Sequence, residues 1–158
     1  MSFSRKYDKR SLTALVKRVK AINRTEVSTG FFPEDQYGPD NSNLPVAQVA
    51  WYNERGLGNM VPSRPFMTKT FSDVEELRFY AAGMESVLTD VLDKGRLTKR
   101  KLDALGQFVV SVMQMTIADW TTPANSERWA AIKGKNDPLV FTGKMLQSVK
   151  YRVEKSDA

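Results

Sequence analysis

The stretch Trp51–Met67, WYNERGLGNMVPSRPFM, leaves its backbone very little freedom, and it sets what the rest of the 158-residue chain can become. Gly56 and Gly58 admit positive φ, Pro62 and Pro65 fix φ on either side of Arg64, and Phe66 plants an aromatic ring at the exit. A flexible linker is rich in Gly and Ser and poor in aromatics. Two prolines, an arginine and several large apolar groups at this spacing predict a docked, rigid corner instead. Glu54 and Arg64 are its obvious polar pair. A structural salt bridge, or a backbone bond that holds the loop, is the expected use of these two charges, ahead of chemistry.

Composition narrows the function classes next. The chain has no Cys, so disulfides, thiolate zinc sites and cysteine nucleophiles are excluded. It also has no His, which removes the usual general base, metal ligand and pH switch together. GLGN at Gly56 lacks the strand-to-helix context and the Lys of a phosphate-binding loop, and TGK at Thr142–Lys144 lacks the upstream glycine. Glu85, Asp90 and Asp93 come from one helix with no oxygen-rich loop around them, so they read as a solvated face, not a metal site. The expectation is a protein that is not an enzyme and takes no cofactor or metal. No run approaches the ~18 apolar residues of a membrane span, and MSFSRKYDKR lacks the apolar core of a signal peptide. A soluble, unexported protein with no membrane contact is expected, built as one domain over residues 1–158.

Hydrophobic spacing predicts an α+β fold. Leu12, Leu15, Val16, Val19 and Ile22 mark an N-terminal amphipathic helix. Arg24–Phe32 alternates as a strand with Val27, Thr29 and Phe31 on one side. Residues 33–43 carry turn signals and three acids and read as an exposed, mobile loop. In PVAQVAWYNERG a short helix opening at Pro45 is the preferred reading, with a strand as its competitor. Ser72 is the expected cap of a long helix with a core stripe at Val74, Leu77, Ala81, Met84, Leu88, Val91 and Leu92, stopped by Gly95. A third, very apolar helix runs from Leu97 and Thr98 to Trp120 and should lie centrally or bury a second side against another subunit. A turn-rich segment follows, anchored by Trp129, Ala130 and Ile132, then the extended Pro138–Phe141, a cap and tight turn at Thr142 and Gly143, a last strand through Val149, Tyr151 and Val153, and a frayed tail at 155–158. Together these give a small antiparallel or mixed sheet packed against two long antiparallel helices.

Charge is segregated along the chain. Residues 1–24 hold eight basic residues and one acidic, 72–93 hold one basic and six acidic, and 94–101 hold five basic and none acidic. Such poles suit subunits that meet head to tail. They also read as ordinary solvated helix faces. Lys17, Arg18 and Lys20 on the first helix, with Lys94, Arg96, Lys99, Arg100 and Lys101 at the turn between the long helices, form the candidate surface for an acidic partner or for DNA.

Two motifs carry a resemblance. N-E-x-G followed by P-x-R-P-F, supplied here by Asn53, Glu54, Gly56, Pro62, Arg64, Pro65 and Phe66, resembles the central motif of the virion-morphogenesis proteins of tailed phages. The segment KGKNDPLVFTGKMLQS, Lys133–Ser148, resembles one that family carries near its C-terminus, with Pro138, Leu139, Thr142 and Gly143 in the pattern. The resemblance implies a structural protein of the virion, assembled in the bacterial cytoplasm, forming a ring at the head–tail junction as a neck or tail-completion protein. A tail terminator capping the tail tube is the neighbouring role, and a basic DNA-binding module is the alternative from another class. Implied partners are further copies of the chain in a hexamer or dodecamer, head–tail connector or adaptor proteins, and a tail terminator or tail tube protein. Genomic DNA would touch the ring transiently and without sequence reading. Trp51, Phe66 and Phe141 are the expected interface anchors, with Glu54 and Arg64 setting geometry.

Overall fold

The computed structural model describes residues 9–155. Along them run α1 (Lys9–Asn23), β1 (Thr25–Gly30), a 3-10 turn at Pro39–Asn41, α2 (Val46–Arg55), α3 (Phe66–Ser72), α4 (Val74–Lys94), α5 (Lys99–Ala118), α6 (Glu127–Lys133), α7 (Lys144–Gln147) and β2 (Lys150–Lys155). The fold is mixed α+β, as the spacing predicted. Its two strands pair antiparallel, in register from Thr25 opposite Lys155 to Gly30 opposite Lys150.

Helix α5 is the centre because it is apolar on more than one side. Leu102, Gly106, Val109, Val110, Val112, Met113 and Ile117 are all buried, and α3, α4, α7 and both strands pack around them. Gly106 brings the sheet in close: a Cβ there would collide with the ring of Tyr151 on β2. The main core joins Val110, Met113 and Ile117 to Val46 and Ala50 of α2, Phe66 of α3, and Leu139, Met145 and Val149 near the C-terminus. Phe31 meets Phe66 edge-on, with ring centroids 6.1 Å apart. The helical reading of residues 46–55 holds because its i, i+4, i+8 positions Val46, Ala50 and Glu54 are the buried ones.

Several expectations are corrected. The stripe assigned to the core of α4 is mostly outside: Val74, Leu77, Met84, Leu88 and Leu92 are 40–63% exposed, and of that stripe only Val91 is buried. The inward side is instead Val87, Asp90 and Val91, because α5 lies against the neighbouring row of positions. Asp90 is therefore not on a solvated face. Its carboxylate takes Lys94 at 2.6 Å, Lys101 at 3.1 Å and the Thr98 hydroxyl at 3.2 Å, and the first two partners hold it down at about pKa 2. The cap of α4 is Asp73, one residue past Ser72, accepting from the N–H groups of Glu75 and Glu76. Between corner and cap, residues 66–72 coil into α3. The segment after Trp120 contains α6, whose Trp129 and Ile132 are exposed and anchor no core.

The loop 33–43 is stapled to β2. Asp35 pairs with Lys150 at 2.8 Å, Glu34 pairs with Arg152, and the Tyr37 N–H donates to the Leu44 carbonyl at 2.9 Å while its ring packs on the core. The Arg152 hydrogen bond pulls the Glu34 carboxyl below its ordinary value. The tail expected to fray lies outside the described residues beyond Lys155, as do Arg5 and Lys6 of the basic N-terminal pole.

Candidate functional site

The corner is built on the end of α2. Gly56 leaves the helix at φ +80°, and a Cβ there would meet the backbone of Val61 and Ser63 at 3.0 Å, so only glycine lets the returning chain lie this close. Leu57 and Val61 then bridge across a tight turn. The chain comes back onto the helix it left. Ser63 donates its hydroxyl to the Glu54 carbonyl at 2.8 Å, and the Arg64 N–H donates to the Asn53 carbonyl at 2.6 Å.

Glu54 and Arg64 do not pair with each other. Both are almost fully buried, and each is spent mainly on backbone, the second of the two uses expected for them. The Glu54 carboxylate accepts from the Met67 N–H at 2.8 Å, the Thr68 N–H at 3.0 Å and the Thr68 hydroxyl at 2.6 Å. It thus caps the first turn of α3, whose own cap position is Pro65 and offers no side-chain acceptor. Arg64 reaches the other way. Its Nε–H donates to the Pro123 carbonyl at 2.9 Å and an Nη2–H to the Ala124 carbonyl at 3.1 Å, tying the corner to the segment that enters α6. Burial pushes the guanidinium below its ordinary pKa.

The second motif contributes to the same pocket lining as the corner. Pro138 and Leu139 are buried, Gly143 turns at φ +77°, and Thr142 accepts from the Lys144 N–H at 3.3 Å to start α7. Gln114 of α5 holds the far end by donating to the Leu146 carbonyl at 3.1 Å. Phe141, half exposed, packs its ring against that of Trp129 on α6, with centroids 5.7 Å apart and the planes tilted by 58°.

Corner and second motif meet across one groove of about 740 Å³. Asn53, Val61, Pro62 and Arg64 of the corner, Pro138, Leu139, Phe141 and Thr142 of the second motif, and Trp129, Ile132 and Lys133 of α6 all contribute to its lining. Burial, with Lys135 nearby, lowers the pKa of Lys133. The groove is aromatic and apolar with a cationic edge. Among the described residues no three acidic side chains gather as metal ligands, and no helix is long and apolar enough to cross a membrane.

The three expected anchors do not come together. Phe66 is 0% exposed and belongs to the core, because the first turn of α3 drives it inward. Trp51 is exposed on α2 under the Arg55 guanidinium, 5.0 Å from its ring centroid, and does not line the groove. Phe141 alone lies at the groove. Trp129 and Ile132 take the missing places, and their helix was legible: Ser126 caps it, Glu127 sits in its first turn and Gly134 ends it. The expected basic surface is thinned as well. Lys94 and Lys101 are spent on Asp90, Lys99 on Asp103, and Arg18 donates to the Leu92 carbonyl. Lys17, Lys20, Arg96 and Arg100 are left without ion pairs among the described residues. Comparisons with protein-family models, with curated proteins and with solved structures give no match to this chain.

Proposed function

We propose that this chain is a structural, non-enzymatic subunit of a tailed phage or prophage virion, forming a ring at the head–tail junction as a neck or tail-completion protein. One observation carries the reading: the two separate segments that resemble the virion-morphogenesis family both contribute to the lining of a single groove. The groove docks a segment of a neighbouring subunit or of a connector or tail protein, with Trp129 and Phe141 as its aromatic anchors. Glu54 does not line the groove; it and Arg64, which does, keep the corner in place. Helix α5, packed on both strands and on α4, with α1 beside α4, forms the body of the subunit. Of the eight cations expected to face DNA, only Lys17, Lys20, Arg96 and Arg100 have neither an ion pair nor a backbone carbonyl partner among the described residues, which weighs against a dedicated DNA-binding surface there.

The test is complementation of the source phage or induced prophage. Deletion of this chain is expected to leave DNA-filled heads and unattached tails, and Trp129→Ala with Phe141→Ala to give the same phenotype with folded protein. Electron cryomicroscopy of the particles then shows a closed ring of this chain between connector and tail tube. Normal titres from the deletion, or particles without the chain, would overturn the reading. Density at the tail end of the junction instead would assign the tail-terminator role.

A further inference from the structure

A nearly buried cation without a counter-charge lines the groove. Arg64 is 5% exposed, yet no carboxylate pairs with it among the described residues. Its Nε–H and an Nη2–H go to the Pro123 and Ala124 carbonyls, and an Nη1–H reaches Asn53 Oδ1 only at 3.5 Å. A guanidinium carries more N–H donors than these bonds use, so each terminal nitrogen keeps one unspent. Neutral carbonyls satisfy donors without cancelling the charge, and a buried charge is costly unless an opposite one stands beside it.

Further positive charge surrounds it. Arg128 and Lys133 of α6 line the groove with Arg64, and no Asp or Glu is among the lining residues. Arg128 has no ion pair or hydrogen bond among the described residues. The Lys133 ammonium donates to the Asp137 carbonyl and lies 6.0 Å from the Phe141 ring centroid. Burial lowers its pKa first, and the charges of Lys135 and Arg64 lower it further, so ammonium and guanidinium are near enough to repel. The Asp137 carboxylate works the other way, but it is already paired with Lys135 at 3.1 Å. Asn125, also in the lining, adds a buried Nδ2 with no hydrogen-bond partner among the described residues.

These donors call for an anion, and the rest of the lining says what carries it. Val49, Met60, Val61, Ile132, Leu139 and Met145 give the groove a large apolar share. Surfaces that hold nucleic acid are polar and strongly positive throughout, whereas protein interfaces are apolar at the centre with few charges. An acidic side chain on a peptide, with an apolar residue beside it, suits both parts.

We propose that the groove is a receptor for a carboxylate: an Asp or Glu side chain of the docked segment pairs with Arg64 and Lys133, and an apolar residue next to it packs on Trp129 and Phe141. The inference rests on the reading of the groove as the docking site and names the chemistry that the partner brings there. The acid supplies the missing counter-charge, so docking relieves the repulsion between Arg64 and Lys133 as it forms charge-assisted hydrogen bonds. A segment without an acid covers the guanidinium and leaves it unpaired, which selects against that segment.

The test is selection from a ribosome-displayed library of random peptides on the immobilised full chain. Fluorescence anisotropy then compares the leading peptide with the same peptide carrying the amide in place of its acid, and circular dichroism establishes that each variant is folded. The selected sequences are expected to share an Asp or Glu beside a large apolar residue. Wild type should bind the acidic peptide at least about tenfold more tightly than the amide form, a preference that shrinks as salt rises. Lys133→Gln should weaken the acidic peptide at least about tenfold, and Arg128→Gln at least about threefold, with the amide form hardly affected by either. Trp129→Ala with Phe141→Ala should weaken both peptides. Selected peptides without an acid, or equal loss of both forms on Lys133→Gln, would overturn the carboxylate and leave the docking reading standing. If no peptide is selected, or binding ignores Trp129→Ala with Phe141→Ala, the groove is not the docking site and both fail. A thymidine oligonucleotide that displaces the peptide would overturn the proposal in favour of a phosphate ligand. Should Lys133→Gln fail to fold, Arg128→Gln decides, since the Arg128 side chain makes no ion pair or hydrogen bond in the fold.

Discussion

Replacing Glu54 by Gln tests the idea that the corner is locked by one carboxylate. Its Oε1 takes both the Thr68 N–H and the Thr68 hydroxyl, and its Oε2 takes the Met67 N–H. Glutamine keeps the shape and one oxygen, best placed toward Thr68, and points its NH₂ group at the Met67 N–H. One donor is then left facing another, which costs about 1–3 kcal/mol, and the two surviving bonds fall from charge-assisted to neutral at roughly 1 kcal/mol each. Loss of negative charge from the first turn of α3 adds roughly 0.3–1 kcal/mol. Because these effects share one group, the expected total is about 3 kcal/mol, or roughly 6–12 °C in Tm for a chain this long. Equilibrium unfolding in urea followed by tryptophan fluorescence measures it, with Glu54→Gln, Thr68→Val and the double variant forming a cycle. The double variant should be less destabilised than the sum of the singles by about 1 kcal/mol. A Glu54→Gln protein within about 0.5 kcal/mol of wild type, or a strictly additive cycle, would refute the capping role.

Three further outcomes follow from the same geometry. Arg64→Lys, one ammonium in place of a fork that reaches two carbonyls, is expected to cost about 2 kcal/mol in thermal unfolding, whereas a surface arginine would cost under about 0.5. Gly106→Ala should destabilise by about 1–3 kcal/mol in urea unfolding, because overpacking against Tyr151 outweighs the ~1 kcal/mol gained in helix propensity; a stabilised variant would mean that the sheet does not sit this close. Asp90, whose pKa is lowered when folded, contributes stability that is present above about pH 4 and lost as pH falls toward about 2; Tm against pH should fall more steeply over that window for wild type than for Asp90→Asn, and parallel curves would count against the Lys94 and Lys101 pairing.

The candidate site was legible where a local rule governs it. Gly56 and Gly143 need positive φ whatever surrounds them, and the two prolines restrict the corner before any partner is present. That Glu54 and Arg64 would hold the loop was also readable. Where each would bond was not, since the acceptors at Pro123 and Ala124 are about sixty residues from Arg64 and no spacing rule links them. Helix α6 carried its caps in plain view, but the density of turn residues on either side hid a helix of only seven residues.

What the sequence by itself determined is most of the elements, though not the short helices α3 and α6: an α+β chain, an amphipathic first helix, a central apolar α5, a constrained corner and a closing strand. Periodicity and capping are properties of residues a few positions apart, so they survive without a tertiary context. Only the tertiary structure decided which apolar stripe faces inward. On α4 the rows at Leu77–Met84 and at Val87–Val91 are both apolar, and hydrophobicity cannot choose between them; the position of α5 does. Phe66 shows the same limit from the other side. An aromatic at a loop exit fits an anchor or a core residue equally well, and the turn of α3, held by a carboxylate twelve residues earlier in the chain, put it inside.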